Sequence, residues 1–543
     1  MLQGCTEWPA EFAERYRQRG YWRGETLGAL LRQRAQQRPD SIALIDGERR
    51  WTYAGLNEQA DRVAAGLHKL GITTGDRVLV QLPNITEFIT ICFGLFRLGA
   101  IPVLALPAHR ESEINHLATL SEAVAYVIPD QHLGYDHRPL ARSTQARVPS
   151  LRHILVVGDP EELVPFAALQ DAAPQLFEEP PSSAVALMLL SGGTTGAPKL
   201  IPRTHDDYSC NIRLSAEVTG LTAESRYLVA LPAAHNFALG CPGVFGTLYA
   251  GATAVLTRDP SPQFSFPIIE REQVTVTALI PPLASLWMEA TSLIPANLES
   301  LQLLQVGGAR FKAAQAAQVR AKLGCNLQQV YGMAEGLLNY THPTDDEALV
   351  HDSQGRPMTE DDELRIVDEQ DNEVAAGEVG ELLTRGPYTI RGYYRAEEYN
   401  RQAFTRDGFY RSGDLVRRLP SGHLIVEGRK KDVINRGGNK VPAEEVESHL
   451  LSHPAVRDVA LVGLPDPISG ERSCACVIPK DKPPTLQELN AHLSHAGLAS
   501  YKLPDRLVIL EQFPVTKLGK VDKGRLAIEA RSTTKRPPIR PTP

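Results

Sequence analysis

The sequence holds no run of eighteen consecutive apolar residues, so a membrane-spanning helix is not expected. Its first twenty residues, MLQGCTEWPAEFAERYRQRG, are polar and charged and lack the apolar core of a secretory signal, which points to the cytoplasm. Cysteine is scarce: seven, odd in number and scattered, do not make a disulfide framework and read as reduced thiols. Cys474 and Cys476 alternate along an apparent strand with no second pair nearby. His449 and His453 lie four apart on a predicted helix, more like a solvated face than a metal site. Excess positive charge is missing too; a net charge of −7 gives no reason to expect nucleic acid binding. No internal repeat is present.

What is there is too long for one compact core: 543 residues predict two or more domains. Residues 7–27 open with a short amphipathic helix, with Tyr21 and Trp22 packed on the main body. From 28 to 180 helical and strand patterns alternate. Leu56, Ala60, Val63, Ala64, Leu67 and Leu70 recur at helical spacing until Gly71 stops the run, and RVLVQL (77–82) and IPVLAL (101–106) read as buried strands. Such alternation predicts parallel sheets covered by helices. The same grammar continues through RYLVALP (226–232), VTALIPP (276–282) and LQLLQVGGA (301–309). Sites in such sheets lie beyond the carboxyl ends of strands, so the polar residues there are candidates to converge. Residues 350–430 change to short alternating strands, predicting a small antiparallel barrel or sheet. The polar stretch GRKKD suggests a boundary at 429–432, giving a large domain over 1–428, a compact α/β domain over 433–530 and a disordered tail over 531–543.

The loop SGGTTGAPKL (191–200) stands between two strand-like runs, AVALMLL and LIPRTH. Glycines let backbone N–H groups approach a ligand; Ser191, Thr194 and Thr195 add hydroxyls beside Gly192 and Gly193; Lys199 adds a mobile positive charge. Together they describe a cradle for a polyphosphate. The spacing is not that of the Walker loop, because Pro198 precedes the lysine and a leucine follows it. Downstream, YGMAEG (331–336) offers one carboxylate, Glu335, suited to Mg²⁺, which takes one or two protein oxygens plus phosphate oxygens. Asp414 in FYRSGDL (409–415) can accept two hydrogen bonds from a ribose diol. PVTKLGKVDK (514–523) carries Lys517, Lys520 and Lys523.

Taken in order, these motifs resemble the signatures of the adenylate-forming superfamily, over about residues 7–530. The resemblance implies an α/β fold with a large N-terminal domain of parallel sheets plus a small β-barrel, and a small mobile C-terminal domain. It implies ATP and Mg²⁺ as cofactors. It places Gly308, Ala309, Val330, Tyr331, Gly332, Met333 and Ala334 around AMP, with Tyr331 near the base and Asp414 and Arg429 on the ribose. It assigns Lys520 as the catalytic lysine, with Lys517 and Lys523 solvated charges beside it. A positioned cation there favours the transition state in which a carboxylate attacks the α-phosphate. Lys431 falls at the family's hinge, and Arg436, Gly437, Gly438 and Lys440 fall in the stretch brought to the thiol tunnel.

The segment PAAHNFALGC (232–241) bears on the acid. Amino-acid-activating relatives carry an aspartate where Asn236 stands, and an amide pairs poorly with an ammonium. The segment resembles the stand-alone aryl acid–AMP ligases of siderophore assembly, which implies roles for His235, Asn236, Phe237, Cys241, Gly307, Gly308 and Leu338 around the acid, His235 also in catalysis. Dihydroxybenzoate enzymes carry serine at Cys241 and usually valine at Leu338. A buried unpaired hydroxyl costs roughly 1–3 kcal/mol, which predicts salicylate over 2,3-dihydroxybenzoate by about one to two decades. The expected partners are salicylate and an aryl carrier domain bearing a phosphopantetheine thiol. The rival readings are a 2,3-dihydroxybenzoate ligase, an aryl- or acyl-CoA ligase, and an inactive binding protein that keeps the fold.

Overall fold

The computed structural model describes residues 2–191, 198–436, 439–466, 470–496, 498, 502–516 and 520–533. The chain divides into two compact units, Met1–Leu364 with Thr384–Tyr410, and Arg365–Leu383 with Arg411–Pro543.

The first unit is built on two sheets. The nine-stranded sheet has a parallel centre, Asn326–Gly332, Leu303–Gly307, Val276–Leu279, Arg226–Val229, Thr253–Leu256 and Ile42–Asp46 in spatial order. Antiparallel strands close both edges, Leu338–Tyr340 and then Arg356–Pro357 on one side and Arg49–Thr52 on the other. The seven-stranded sheet is parallel except for its edge, where Leu200–Thr204 runs antiparallel to Val185–Leu190. Parallel strands buried on both faces need continuous apolar sequence. Val78, Leu79 and Val80, and Ala125 to Ile128, supply it and are fully buried.

Local signals set the helices. In Tyr53–Lys69 the Thr52 hydroxyl caps the N-terminus by accepting from the Gly55 N–H at 3.0 Å. The helical-period residues Leu56, Ala60, Val63, Ala64 and Leu67 are buried, as their spacing predicts, whereas Leu70 caps the C-terminus and is half-buried. In His205–Thr219, Thr204 and Asp207 form a reciprocal capping box, and Gly220 ends the helix in the left-handed conformation at φ 71°. The N-terminal helix Ala10–Gln18 sits where expected, and Trp22 is buried with its indole N–H donating to the Pro387 carbonyl at 2.8 Å.

In the second unit, Val433–Arg436, Asn439–Pro442, Val456–Asp466, Gly470–Pro479 and Arg506–Ile509 make one sheet. The helix Ala443–Leu451 buries Val446 and Leu450 against Val459, Leu461 and Val477. A four-stranded sheet, Glu363–Val367, Val379–Arg385, Tyr410–Arg418 and Leu424–Arg429, stands where the sequence suggests a small barrel. Most of its residues fall in the second unit, where Leu424–Arg429 packs on the helix Ala443–Leu451. Among the described residues no helix is long and apolar enough to cross a membrane.

Candidate active site

The loop begins and ends on a closed mouth. The Ser191 N–H donates to the Lys199 carbonyl at 2.9 Å, and the Lys199 N–H donates to Oγ of Ser191 at 3.0 Å. The paired strands Val185–Leu190 and Leu200–Thr204 thus bring Ser191 and Lys199 face to face. His116 Nε2 lies 2.9 Å from the Pro198 carbonyl and ties down the exit. The Lys199 ammonium sits 3.9 Å from the centre of the Tyr399 ring, a cation–π contact that orients its charge. Gly192, Gly193, Thr194 and Thr195 lie outside the described residues.

Strand register brings the next group together. Gly307 pairs with Val330 across parallel strands, and Gly332 pairs with Leu338 across antiparallel ones. Gly308 and Ala309 follow the first of these strands, and Tyr331, Met333 and Ala334 lie along or just after the second. His235 caps the short helix Asn236–Gly240, its Nδ1 accepting from the Phe237 N–H at 3.2 Å. Phe237 then reaches the strand ends: a Cβ on Gly307 would lie 2.7 Å from the Val330 carbonyl and 2.9 Å from Cζ of Phe237. A Cβ on Gly332 would lie 2.3 Å from Cδ2 of Leu338. Asn236, Cys241 and Leu338 are buried. The structure therefore gathers Asn236, Phe237, Gly307, Val330, Gly332 and Leu338 at the carboxyl ends of the sheet.

Glu335 is 7% exposed. Its Oε1 accepts from the Tyr393 hydroxyl at 2.7 Å, and its carbonyl accepts from the Ile390 N–H at 2.7 Å. Burial holds the Tyr393 phenol far above its ordinary value, so it stays protonated and remains a donor to the carboxylate. A buried carboxylate suits Mg²⁺, which needs few protein ligands.

The second unit carries its own set. Asp414 and Arg429 are partners across the antiparallel pair Tyr410–Arg418 and Leu424–Arg429, with Arg429 Nε 2.9 Å from Oδ1 of Asp414. Asp414 is buried, and its N–H donates to Oγ of Ser412 at 3.0 Å. Lys431 lies in the single turn Lys430–Asp432 and Lys440 in the strand Asn439–Pro442. Arg436 pairs with Asp505 and donates to the Leu503 carbonyl at 3.2 Å. Gly437, Gly438 and Lys517 lie outside the described residues. Lys520 is exposed; its N–H donates to Oγ1 of Thr516 at 3.3 Å beside the bridge between Val515 and Val521. Lys523 departs from its reading as a solvated charge: its ammonium lies 2.7 Å from Oε1 of Glu447, a carboxylate that also accepts from the Leu461 N–H at 2.6 Å. The helix Lys523–Thr533 turns it inward, which sequence position alone does not show.

Residues 31–394 match the model of the AMP-binding enzyme family, and residues 445–520 match that of the AMP-binding enzyme C-terminal domain. The chain belongs to the AMP-binding, adenylate-forming enzymes. It is 56% identical over 526 residues to a 2,3-dihydroxybenzoate-AMP ligase of Bacillus subtilis, covering 97% of each protein. It is 50% identical over 529 residues to a salicyl-AMP ligase / salicyl-S-ArCP synthetase of Mycobacterium tuberculosis, covering 96% of this chain and 94% of the relative. Among solved structures it resembles apo MbtA of Mycobacterium smegmatis, with a TM-score of 0.76, 52% identity, and 97% and 99% of the two chains covered.

As an AMP-binding enzyme the chain is an adenylate-forming ligase with an α/β fold, and the carboxyl-end gathering of its motifs fits that class. Sequence reasoning missed four residues that shape these motifs. Asn84 donates to the carbonyls of Val229, Leu231 and Thr257 at 2.9, 2.9 and 3.1 Å and accepts from the Ala233 N–H at 2.7 Å, fixing the approach to His235. Arg203, fully buried, pairs with Asp207 at 2.7 Å and donates to the carbonyls of Ala334 at 3.0 Å and Tyr388 at 3.1 Å. Tyr393 holds Glu335, and Tyr208 holds Asn236. Charge inside the strand LIPRTH was the one available signal, since an arginine in a buried strand needs partners.

Proposed function

We propose that this AMP-binding enzyme is a stand-alone salicylate–AMP ligase. With ATP and Mg²⁺ it would convert salicylate to salicyl-AMP and pyrophosphate, then pass the salicyl group to the phosphopantetheine thiol of an aryl carrier domain in siderophore assembly. The observation that carries the choice of acid is Asn236: a buried amide stands where a substrate ammonium would need a carboxylate, and the neighbour to which its Nδ2 donates, Cys241, offers a thiol rather than a hydroxyl to a second phenol.

Hydroxide is a poor leaving group from a carboxylic acid, whereas AMP leaves readily once a thiol attacks the acyl carbon. In this reading the loop with Ser191 and Lys199 holds the β- and γ-phosphates. Glu335 would hold Mg²⁺, which neutralises phosphate charge when bound. Asp414 and Arg429 serve the ribose, and Lys520 stabilises the charge shared between the entering carboxylate and the α-phosphate. His235 borders the reacting carboxylate. Lys431 acts as hinge, and Arg436, Gly437, Gly438 and Lys440 serve the thiol step. Hinges are a few positions that absorb backbone change.

An acid-dependent ATP–pyrophosphate exchange assay with salicylate, 2,3-dihydroxybenzoate, benzoate and several amino acids tests the reading. Exchange strongest with salicylate is expected. Exchange strongest with 2,3-dihydroxybenzoate, the second reading favoured by the Bacillus relative, would keep the chemistry and overturn the choice of acid. No exchange with any aryl acid would remove the function.

A further inference from the structure

Tyr208, on the helix His205–Thr219, is fully buried, and its hydroxyl donates to Oδ1 of Asn236 at 2.9 Å. A phenol O–H in a core needs an acceptor, and the Asn236 amide carbonyl provides it. Burial holds this phenol well above its ordinary value, so it stays protonated and remains a donor. Two neighbours fix its place. The Arg203 guanidinium lies 4.8 Å from its ring centre. Gly240 leaves room for the hydroxyl, since a Cβ there would lie 2.7 Å from it.

With Oδ1 taken, the orientation of the amide is set. Nδ2 points the other way and donates to Sγ of Cys241 at 3.4 Å. Cys241 is a neutral thiol, pushed up to about 12 by burial. An amide turned over would set its N–H₂ against the phenol and leave the phenol hydrogen without its acceptor, a loss of about 1–3 kcal/mol for a buried group. Residue 236 is thereby a donor on its Cys241 side.

We propose that Tyr208 is a positioning residue for acid selection, holding the Asn236 amide as a donor so that the pocket takes aryl acids whose ortho substituent offers a lone pair and refuses those whose ortho substituent offers a hydrogen. The proposal rests on the aryl acid–AMP ligase reading. In 2-hydroxybenzoate the phenol hydrogen is bonded internally to the carboxylate, so the oxygen turns a lone pair outward. In 2-aminobenzoate one N–H is used internally and the second points outward, donor against donor.

The test measures kcat/KM for 2-hydroxybenzoate and 2-aminobenzoate by ATP–pyrophosphate exchange in the wild-type protein, in Tyr208→Phe and in Gly240→Ala. Tyr208→Phe removes one oxygen and keeps the ring. Gly240→Ala keeps the phenol and pushes it off the amide. The wild-type protein is expected to prefer 2-hydroxybenzoate. Both variants are expected to narrow that ratio about tenfold or more, with KM for ATP within about twofold. A merely structural role would lower both acids together, and that result, or an unchanged ratio, overturns the proposal. Absence of exchange with every aryl acid in the wild-type protein is a different outcome: it removes the underlying reading, and the proposal with it.

Discussion

Tyr393 and Glu335 are joined by a hydrogen bond of 2.7 Å, and the Tyr393 hydroxyl also lies 2.9 Å from that of Tyr410. The bond fixes Oε1 and so orients the buried carboxylate. Partners that orient a metal-binding carboxylate typically account for 10- to 100-fold in metal affinity. Tyr393→Phe is therefore expected to raise the Mg²⁺ concentration needed for half-maximal pyrophosphate exchange by about tenfold, with KM for the aryl acid little changed. A Mg²⁺ titration of both proteins decides it; an unchanged midpoint would detach Tyr393 from metal binding.

Arg203 and Asp207 form an ion pair with side chains 0% and 2% exposed. Asp207 also caps its helix through Thr204, with the Thr204 N–H donating at 2.7 Å. Burial pushes the Asp207 carboxyl up and Arg203 pulls it down. Removing one partner of a buried pair leaves an uncompensated charge, at about 3–5 kcal/mol. Arg203→Met is expected to lose about that much in urea unfolding of the first unit, and to weaken exchange as well, because the Ala334 carbonyl next to Glu335 loses its donor. A loss below about 1 kcal/mol would show that the pair is not needed.

Asp362 supplies a pH dependence. Burial pushes its carboxyl up to about 7, against donors from the Tyr388 hydroxyl at 2.6 Å and the Thr359 hydroxyl at 3.0 Å. The folded group holds its proton up to about pH 7, whereas the unfolded group releases it near 3.8. Its contribution to stability is thus fully present below 3.8 and is lost as pH rises through about 7. Asp362→Asn cannot ionise. Relative to the wild-type protein it is expected to gain stability steadily between pH 4 and 8, by at most about 4 kcal/mol. Urea midpoints at several pH values measure the gain, and parallel curves would contradict it.

The parts legible in the sequence are those with a period or a fixed motif. Helix Tyr53–Lys69 is visible in its apolar spacing, and the strands flanking 191–200 in their apolar runs. Gly307 and Val330 are expected near the acid only through the family resemblance; their register, and that of Gly332, needs the sheet order, which no local pattern states. Tyr208, Arg203 and Tyr393 were invisible for another reason. Each acts through a partner far along the chain, 28, 131 and 58 residues away, and a single buried polar side chain has no periodic signature. A lysine beside glycine and aspartate reads as solvated, and only the helix that carries Lys523 turns it toward Glu447.

Cys241 is fully buried and accepts from Asn236 through sulfur at 3.4 Å, a weak bond. Serine in its place would offer a stronger donor and acceptor in nearly the same volume, and Leu338→Val would open space next to Gly332, whose Cβ position lies 2.3 Å from the leucine. The Cys241→Ser, Leu338→Val double variant should then pair a 3-hydroxyl that the wild-type pocket leaves unpaired. A buried hydroxyl that gains a partner recovers about 1–3 kcal/mol, so the ratio of kcat/KM for 2,3-dihydroxybenzoate over salicylate should rise by about tenfold or more. The single variants separate the two effects. If hydrogen bonding dominates, Cys241→Ser alone gives most of the change; if space dominates, Leu338→Val does. No rise in the double variant would mean that the 3-hydroxyl is read elsewhere in the pocket, and the argument from Cys241 to salicylate would fall with it.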